Sequence, residues 1–268
     1  MRYTKYSIRN LEEQDAYMWD AADFDLLINN FIPNRTITHL FPKYLKDDAH
    51  ILEGGCGNGS WVKYLNDKGY NCIGTDINEV ILETAKKEKL NIMKDDILNM
   101  SFDDNTFDAY LSLGVIEHWK EGPQKAIKEA YRVIKPGGYF FVSTPCNHLI
   151  RKLFNHPLRD MVNLFFKILG KKLYFVEYRF ERHELRQFMI DGGFDVVESL
   201  PNDYRLDSNE YSFGMYTDWP WLRDRKVKYR LNFLGRITKA ILKSINPFWA
   251  VSGIMVVAQK PLSQDLQN

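Results

Sequence analysis

Residues 51–61, with the sequence ILEGGCGNGSW, constrain the fold most, because a short apolar run breaks there into four glycines within six residues. Ile51 and Leu52 have the pattern of a buried strand end, and Glu53 stands at its carboxyl end. The glycines have no Cβ, so a ligand can approach the backbone closely. An amphipathic helical pattern begins directly after them. A strand, a glycine turn and a helix N-terminus in this order predict a cofactor cradle lined by backbone N–H groups.

The hydrophobic pattern after residue 49 alternates between strand and helix. It predicts strands at 50–54, 71–76, 91–95, 107–113, 139–144, 194–199 and 253–258, and helices at 59–68, 79–89, 123–135 and 182–191. The run 135–138 (KPGG), between the predicted helix 123–135 and the predicted strand 139–144, predicts a helix end and a turn. This alternation is typical of an α/β fold, a doubly wound and mostly parallel seven-stranded sheet that binds ligands at the carboxyl ends of its strands.

Three stretches fall outside the alternation. Residues 1–48 carry helical spacing at 21–31 and 36–46, and we expect an N-terminal helical lid that packs on the sheet. The main domain is then 49–268, with insertions at about 145–180 and 201–250. The first insertion has seven Lys or Arg against two Asp or Glu, mixed with large apolar residues, which is typical of a basic amphipathic segment.

Composition excludes several classes of protein. The 36 basic and 35 acidic residues give a net charge of +1, so there is no overall attraction to nucleic acid. Cys56, Cys72 and Cys146 are odd in number and form no CxxC pair, which argues against a disulfide framework and a zinc site. The first residues lack the apolar core of a signal peptide, and no apolar run is long enough to span a bilayer. We therefore expect a cytoplasmic location, with membrane contact only at the periphery.

Acidic residues end three neighbouring strands around the glycine loop. Asp76 follows Gly59 by 17 residues, where a strand-end carboxylate can bind both hydroxyls of a ribose. Asp95 and Asp96 end the third strand, where a carboxylate can accept from the amine of adenine. Helix capping by Asp76 and a solvated turn at 95–96 are the structural alternatives. The absence of basic residues in this set argues against a pyrophosphate and for a ligand with a cationic or neutral centre.

These residues also carry a family resemblance. The chain resembles the class I S-adenosylmethionine-dependent methyltransferases from about Ile51 to Phe141, again at HELRQFMIDGGFDVVE, and in GIMVVAQKP as an antiparallel last strand. The matching motifs are ILEGGCGNG, the ribose acid Asp76, Asp96 in DDILNMSFDDNTFD, LSLGVIEHW at the fourth strand and RVIKPGG before the fifth. The resemblance implies a Rossmann-like fold, S-adenosyl-L-methionine as cofactor and S-adenosyl-L-homocysteine as product.

The resemblance also implies positions for the cofactor. Gly55 and Gly57 would lie against its methionine part, Ile77 would flank the ribose, Ile97 would flank the adenine and Leu113 would line the methyl-donor side. The full set of predicted cofactor-binding residues is Arg35, Glu53, Gly55, Cys56, Gly57, Gly59, Asp76, Ile77, Asp96, Ile97 and Leu113.

A narrower resemblance is to the ubiquinone-biosynthesis O-methyltransferases. It rests on MWD at 18–20, PNR at 33–35, VIEH at 115–118 and FFVSTPCN before the basic insertion. It implies that Arg35 holds the cofactor carboxylate. In that group a Glu, two residues, then Glu and His serve a metal-assisted site, but this chain has Gly114 in place of the first acid, so no metal is predicted. Residues 201–250 have no counterpart in the resemblance.

His118, at the mouth of the fourth strand, is the candidate general base for an acceptor hydroxyl, because its side chain titrates near neutral pH. A purely structural histidine is the alternative. His148 and His183 are not placed at a strand end by the pattern and are poorer candidates. Tyr17, Trp19 and Tyr216 are candidate walls of the acceptor pocket, with core packing as the alternative.

The sequence leaves the acceptor open. We expect a small-molecule or lipid-like acceptor methylated at oxygen, with peripheral membrane contact through 145–180. The second hypothesis is an RNA acceptor bound through 223–243. The simplest interpretation of both basic stretches is a solvated helix face. The rival class is a protein that binds the cofactor without catalysis. Cys146 as a nucleophile has no activating partner in the sequence. DNA methylation is disfavoured because SLGVIEH stands where the adenine-N6 enzymes carry an Asp or Asn, two prolines and an aromatic residue.

Overall fold

The computed structural model describes residues 2–9 and 24–262. The strands are β1 (Tyr3–Ser7), β2 (His50–Gly54), β3 (Asn71–Asp76), β4 (Ile92–Lys94), β5 (Phe107–Leu113), β6 (Ile134–Pro145), β7 (Tyr174–Arg179), β8 (Asp195–Asn202) and β9 (Gly253–Gln259). The α-helices are α1 (Phe24–Leu26), α2 (Phe41–Tyr44), α3 (Ser60–Asp67), α4 (Glu79–Lys87), α5 (Gln124–Val133), α6 (His156–Ile168), α7 (Arg182–Asp191), α8 (Phe213–Asp218) and α9 (Phe233–Ile245).

The main sheet has seven strands in the order β4-β3-β2-β5-β6-β9-β8. The pairs from β4 to β6 are parallel, and β9 runs antiparallel to both β6 and β8. The predicted doubly wound, mostly parallel sheet is therefore confirmed, including its antiparallel last strand. The central strand β5 is buried on both faces over most of its length, as a parallel strand covered by helices must be.

The sheet is covered on both sides. Residues of α5 and α7 pack with β6 and β9 in one core, and residues of α3 pack on the other face together with the N-terminal turns that hold Ile37 and Phe41. The carboxyl ends of β2, β3 and β5 meet at one edge of this sandwich, where a ligand of an open α/β sheet binds. Among the described residues, no helix has the length and apolar content needed to cross a bilayer.

The predicted turn at 135–138 lies within a strand, because β6 begins directly after α5. Gly137 has φ +79°, and its N–H donates to the Lys260 carbonyl at 2.8 Å. A Cβ on Gly138 would lie 2.8 Å from the Asp108 carbonyl oxygen. The two glycines therefore permit a bend and a close strand approach inside β6 and do not separate helix from strand.

The N-terminal segment is not helical throughout. Residues 3–7 form β1, which pairs antiparallel with β7 of the first insertion. Residues 24–44 consist of short helical turns and not of two long helices, because Pro33 and Pro42 each start a new turn. The predicted helix at 21–31 lies partly outside the described residues, as do Tyr17, Trp19 and the MWD motif. The lid role of 1–48 stays a prediction.

Candidate functional site

The glycine loop after β2 is shaped by left-handed backbone and by crowding. Gly55, Gly57 and Gly59 have φ of +69°, +55° and +75°. A Cβ on Gly55 would lie 2.6 Å from Val115, and one on Gly59 would lie 2.3 Å from Ile92. Side chains at these positions would combine backbone strain with a steric clash. The loop therefore needs these glycines to adopt its backbone conformation, and not only to let a ligand approach.

Backbone hydrogen bonds fold the loop back onto the neighbouring strand. The N–H groups of Gly55 and Cys56 both donate to the Thr75 carbonyl, at 2.8 and 3.0 Å. Cys56 is buried, and burial, followed by the nearby carboxylates Glu53 and Asp76, raises the pKa of its thiol. A buried protonated thiol is unreactive, and the place of Cys56 in the cofactor site stays a prediction.

Asp76 joins the loop to the end of β3. Its Oδ2 accepts from the Gly57 N–H at 3.1 Å, and its Oδ1 accepts from the Asn78 N–H at 2.9 Å. Burial raises the pKa of Asp76, although these hydrogen bonds oppose the shift. The Asn78 side chain accepts from the Val80 N–H at the start of α4, so Asn78 caps that helix. Each oxygen of Asp76 keeps lone-pair capacity for a further donor such as a ribose hydroxyl.

Glu53 is a buried carboxyl group at the end of β2. Only 3% of its surface is exposed, and its Oε2 has no hydrogen-bond partner among the described residues. Burial first, and then repulsion from Asp76, raise the pKa of Glu53 well above its usual range. An unpartnered, buried carboxyl oxygen beside a second carboxylate fits a ligand that carries positive charge.

The adenine side of the predicted site is less enclosed. Asp95 accepts from both the N–H and the hydroxyl of Ser101, so it fixes the turn after β4. Asp96 is exposed and accepts from the Leu98 N–H at 2.9 Å. Ile97 is buried, whereas 59% of Ile77 is exposed. The contact of Asp96 with the adenine amine stays a prediction.

Arg35 lies beside the end of β8, and Leu113 lies at the end of β5. The Arg35 guanidinium contacts Asn202 Oδ1 at 3.4 Å and lies 5.1 Å above the Phe31 ring. Leu113 is the half-buried last residue of β5, directly before Gly114. A hold of Arg35 on the cofactor carboxylate stays a prediction.

His118 sits in a short 3-10 turn, Ile116–His118, that follows β5. Its Nδ1 lies 2.8 Å from the Val176 carbonyl oxygen of β7. A carbonyl can only accept, so Nδ1 carries the proton and Nε2 of the neutral ring has a free lone pair. That is the tautomer a general base requires.

Two acidic groups accompany His118, and sequence reasoning missed both as site residues. Glu117 is buried, its Oε2 lacks a partner in the described part of the chain, and burial raises its pKa well above the usual range. Glu177 is buried too, but Lys5 at 3.1 Å and Arg179 at 3.2 Å outweigh the burial and hold the pKa of Glu177 at about 2. The sequence signal for Glu117 is the pair Glu117 and His118, which matches the end of the metal-site pattern of the ubiquinone-biosynthesis O-methyltransferases, whereas no local pattern indicates Glu177.

The alternative catalytic residues are disposed differently. Burial and the nearby Arg151 lower the pKa of His148 to about 2, and His183 is exposed on α7. Cys146 is buried, and burial raises its pKa to about 12, so its thiol is not a nucleophile near neutral pH. Tyr216 packs against Tyr229 with ring centroids 5.5 Å apart. Within residues 2–9 and 24–262, no three His, Cys, Asp or Glu side chains are grouped as a metal site would need.

Comparison with known proteins identifies the domain. Residues 52–142 match the family model described as a methyltransferase domain. Residues 52–142 therefore form a methyltransferase domain, in agreement with the predicted resemblance to class I S-adenosylmethionine-dependent methyltransferases and with S-adenosylmethionine as the cofactor of this domain. The match spans part of the chain, and the reaction of the whole protein is a proposal.

Two curated relatives of the methyltransferase domain carry different names. A probable tRNA methyltransferase 9B of Bos taurus is 35% identical over 142 residues, which cover 51% of this chain and 30% of the relative. A ubiquinone biosynthesis O-methyltransferase of Coxiella burnetii is 29% identical over 188 residues, which cover 67% of this chain and 74% of the relative. The chain thus spans less than a third of the bovine relative's length.

Solved structures share the whole architecture. A putative methyltransferase of Haloferax volcanii, solved in complex with a methyltransferase activator, has a TM-score of 0.62 at 17% identity and covers 96% of this chain and 99% of its own. A methyltransferase of Archaeoglobus fulgidus has a TM-score of 0.59 at 16% identity, covering 94% and 100%. At these identities the likeness shows the fold of the methyltransferase domain and its insertions.

Proposed function

We propose that this protein is an enzyme that transfers the methyl group of S-adenosylmethionine to an oxygen of a small or lipid-like acceptor, with His118 as general base. The observation that carries the proposal is the hydrogen bond between His118 Nδ1 and the Val176 carbonyl, which fixes the basic tautomer beside the end of β5. A hydroxyl acceptor must lose a proton when its oxygen takes the methyl group. The methyl group itself needs no base to leave the cofactor.

The donor side is assigned to the strand-end acids. Glu53 and Asp76 would face the cationic and ribose parts of the cofactor, and Asp96 the adenine amine. Gly55 and Gly57 would let the methionine part approach the backbone. The contribution of these residues is to hold the donor, because an in-line displacement gains most of its rate from placing the reacting atoms about 3 to 3.5 Å apart in a dry site.

The acceptor side is assigned to the first insertion. His118 Nε2 would take the acceptor proton while β7 holds the ring from the other nitrogen. In α6 only His156 is buried, whereas large apolar side chains are exposed along the helix. These exposed residues are Leu158, Met161, Val162, Leu164, Phe165 and Ile168. An apolar face with Lys152, Arg159 and Lys167 nearby supports contact with a lipid surface, from which a lipid-like acceptor would enter.

RNA is the second candidate acceptor, and the named tRNA methyltransferase relatives favour it. Its predicted contact is the basic stretch 223–243. The rival class is a protein that binds the cofactor and transfers nothing.

Turnover of the full chain separates these candidates. S-adenosylhomocysteine formation would be followed by mass spectrometry with three acceptor pools: small phenols, hydroxyl-bearing lipids in detergent, and total tRNA. We expect product with a phenol or lipid pool. Product with tRNA alone would establish the RNA alternative. Cofactor binding by calorimetry without product in any pool would establish the non-catalytic one.

A further inference from the structure

Helix α9 turns its charged residues toward the protein. Arg236 pairs with Glu210 at 3.0 Å, and Lys243 donates to the Leu206 carbonyl at 2.9 Å. Lys239 is fully buried and donates to the backbone carbonyls of Ser208 and Tyr211. Burial lowers the pKa of its ammonium group to about 8, and the nearby Asp203 opposes that shift. Each of these three cations is bound to a group of the protein itself, although only Lys239 is buried.

The opposite face of α9 is apolar and points to solvent. Its exposed residues are Phe233, Leu234, Ile237, Ile241 and Ile245, with exposed fractions from 42% to 78%. Phe233, Ile237, Ile241 and Ile245 recur every fourth residue and form one stripe. Thr238 and Ser244 lie beside the stripe, and the three cations of α9 are buried or only partly exposed, so the most exposed residues of the helix are uncharged. A helix on the surface of a water-soluble domain has the reverse arrangement.

Local packing fixes this orientation. A Cβ on Gly235 would lie 2.8 Å from the Leu222 carbonyl oxygen, so the glycine face of α9 must rest on the turn Pro220–Leu222. The Asn232 side chain accepts from the Gly235 N–H at 2.9 Å and caps the helix. Rotating the stripe inward would break the cap and expel Lys239 from its carbonyl cage. The contacts of Asn232, Gly235 and Lys239 therefore hold the apolar face of α9 toward solvent.

Exposed cations border the stripe. Arg225, Lys226 and Lys228 are exposed in the loop before α9, and the acid among them, Asp224, is occupied by the N–H groups of Lys226 and Val227. Trp221, 64% exposed, stands at the same end. An apolar helix face with a cationic border and an aromatic residue matches the interface of an anionic bilayer.

We propose that α9 is a second membrane-docking helix, which inserts the stripe Phe233–Ile245 into an anionic bilayer surface while Arg225, Lys226 and Lys228 bind lipid headgroups. The inference rests on the proposed function only in taking the acceptor to be lipid-like. The exposed cations at one end of the stripe complement an anionic lipid surface, whereas a second copy of the chain would carry the same cations. RNA fits less well too, because the exposed residues of α9 are apolar and Arg236, Lys239 and Lys243 bind groups of the protein itself.

The two membrane helices belong to one unit. Arg151, at the start of the turn before α6, pairs with Asp218 at 2.6 Å, and Asn155 donates to the Asp218 carbonyl at 3.4 Å. Asp218 ends α8, in the same insertion as α9. Contact of both helices with one bilayer would bind the chain in a fixed orientation, since two attachment regions define a plane better than one.

Vesicle co-sedimentation tests the proposal with vesicles of phosphatidylcholine alone and with about 30% phosphatidylglycerol added. A stripe variant carries Phe233→Gln, Ile237→Gln and Ile241→Gln, and a loop variant carries Arg225→Gln, Lys226→Gln and Lys228→Gln. We expect the stripe variant to lose affinity for the anionic vesicles by about 100-fold or more, and the loop variant by about five-fold for each cation removed. The control variant replaces three exposed apolar residues outside both insertions, Met93, Ile190 and Val197, by Gln and should bind as the wild type does.

An unchanged affinity of the stripe variant would overturn the inference. If only an α6 variant, Leu158→Gln with Phe165→Gln, loses binding, α9 is refuted while the proposed function stands. If the wild type binds no vesicle but produces S-adenosylhomocysteine, both membrane contacts are refuted and the enzyme is not. Loss of a wild-type dimer in light scattering of the stripe variant, without vesicle binding, would assign the face to a second copy.

Depth measurement gives an independent readout. The native cysteines Cys56, Cys72 and Cys146 are buried, so a cysteine introduced at Ile241 can be labelled selectively with an environment-sensitive dye. We expect a blue-shifted emission on anionic vesicles for the label at Ile241→Cys and none for a label at the exposed Glu88→Cys. Equal emission from both labels would contradict insertion of α9.

Discussion

Glu53 and Glu117 are both buried carboxyl groups with an oxygen that lacks a partner among the described residues, yet they lie in two regions built in different ways. Around Glu53 the stabilising contacts are local in sequence. Asp76 accepts from a loop residue 19 positions earlier and from one 2 positions later. The donor region, 51–97, is therefore one continuous βαβαβ stretch whose contacts join residues close in sequence.

Around Glu117 the contacts join distant segments. His118 is held by Val176, 58 residues away, and β1 from the N-terminus pairs with β7 from the first insertion. Arg151 reaches Asp218 across 67 residues. The acceptor region is thus assembled from three segments outside the regular alternation. A change in the insertions would alter the residues around His118 and leave the donor region unchanged. We propose that the first region binds the cofactor and that the second selects the acceptor.

The largest expected effect tests the acceptor region at His118. Replacing His118→Ala should lower kcat by about 10² to 10⁴-fold, since the acceptor proton loses its base. Cofactor affinity by calorimetry should stay unchanged, because the donor region does not use this side chain. The measurement is S-adenosylhomocysteine formation with the active acceptor pool.

The matched control is His183→Ala, which changes an exposed histidine on α7 and should leave kcat as it is. A wild-type rate in His118→Ala would make His118 a structural residue and remove the general-base proposal. A parallel loss of cofactor affinity would instead show that the two regions are not separable in the way described above.

The donor region could be predicted from the sequence almost completely, because glycine spacing, strand-end acids and hydrophobic period are all local signals. The bounds of β2, β3 and β5 match the predicted 50–54, 71–76 and 107–113. The acceptor region could not be predicted in this way, because the sequence around His118 does not indicate that a distant backbone carbonyl, that of Val176, accepts from its ring. The cations of α9 show the same limit, since 223–243 looks basic by composition, whereas Lys239 and Lys243 donate to backbone carbonyls of the protein itself.

A smaller effect is expected in the donor region at Asp76. Asp76→Ala should weaken S-adenosylmethionine binding by about 2 kcal/mol, or roughly 30-fold in Kd, by removing both acceptors of a ribose diol. Because Asp76 also accepts from Gly57, the variant Asp76→Asn is needed, which keeps one acceptor oxygen for the loop. Asp67→Ala, an exposed carboxylate on α3, is the control.

Calorimetry of the three variants, with thermal unfolding of each in the absence of cofactor, separates binding from folding. Unchanged affinity in a folded Asp76→Ala would contradict the ribose assignment. A loss in Asp76→Ala that Asp76→Asn fully restores would assign the effect to the shape of the loop.

The smallest effect compares the two carboxyl groups directly through pH. The pKa of Glu53 and of Glu117 is raised in the folded state, first of all by burial. The folded protein therefore holds a proton that the unfolded chain releases above about pH 4.3, so each group lowers stability as pH rises from there through its folded pKa. Glu53→Gln and Glu117→Gln should each gain stability over the wild type as pH rises, and the gain should vanish near about pH 4.

Saturating S-adenosylmethionine should then distinguish the two groups. A cationic ligand beside Glu53 favours its ionised form, so the pH-dependent gain of Glu53→Gln in thermal unfolding should shrink or reverse when the cofactor is present. The gain of Glu117→Gln should persist, because that group lies in the acceptor region. If the cofactor altered both gains equally, Glu117 would belong to the donor site and the division between the two regions would have to be moved.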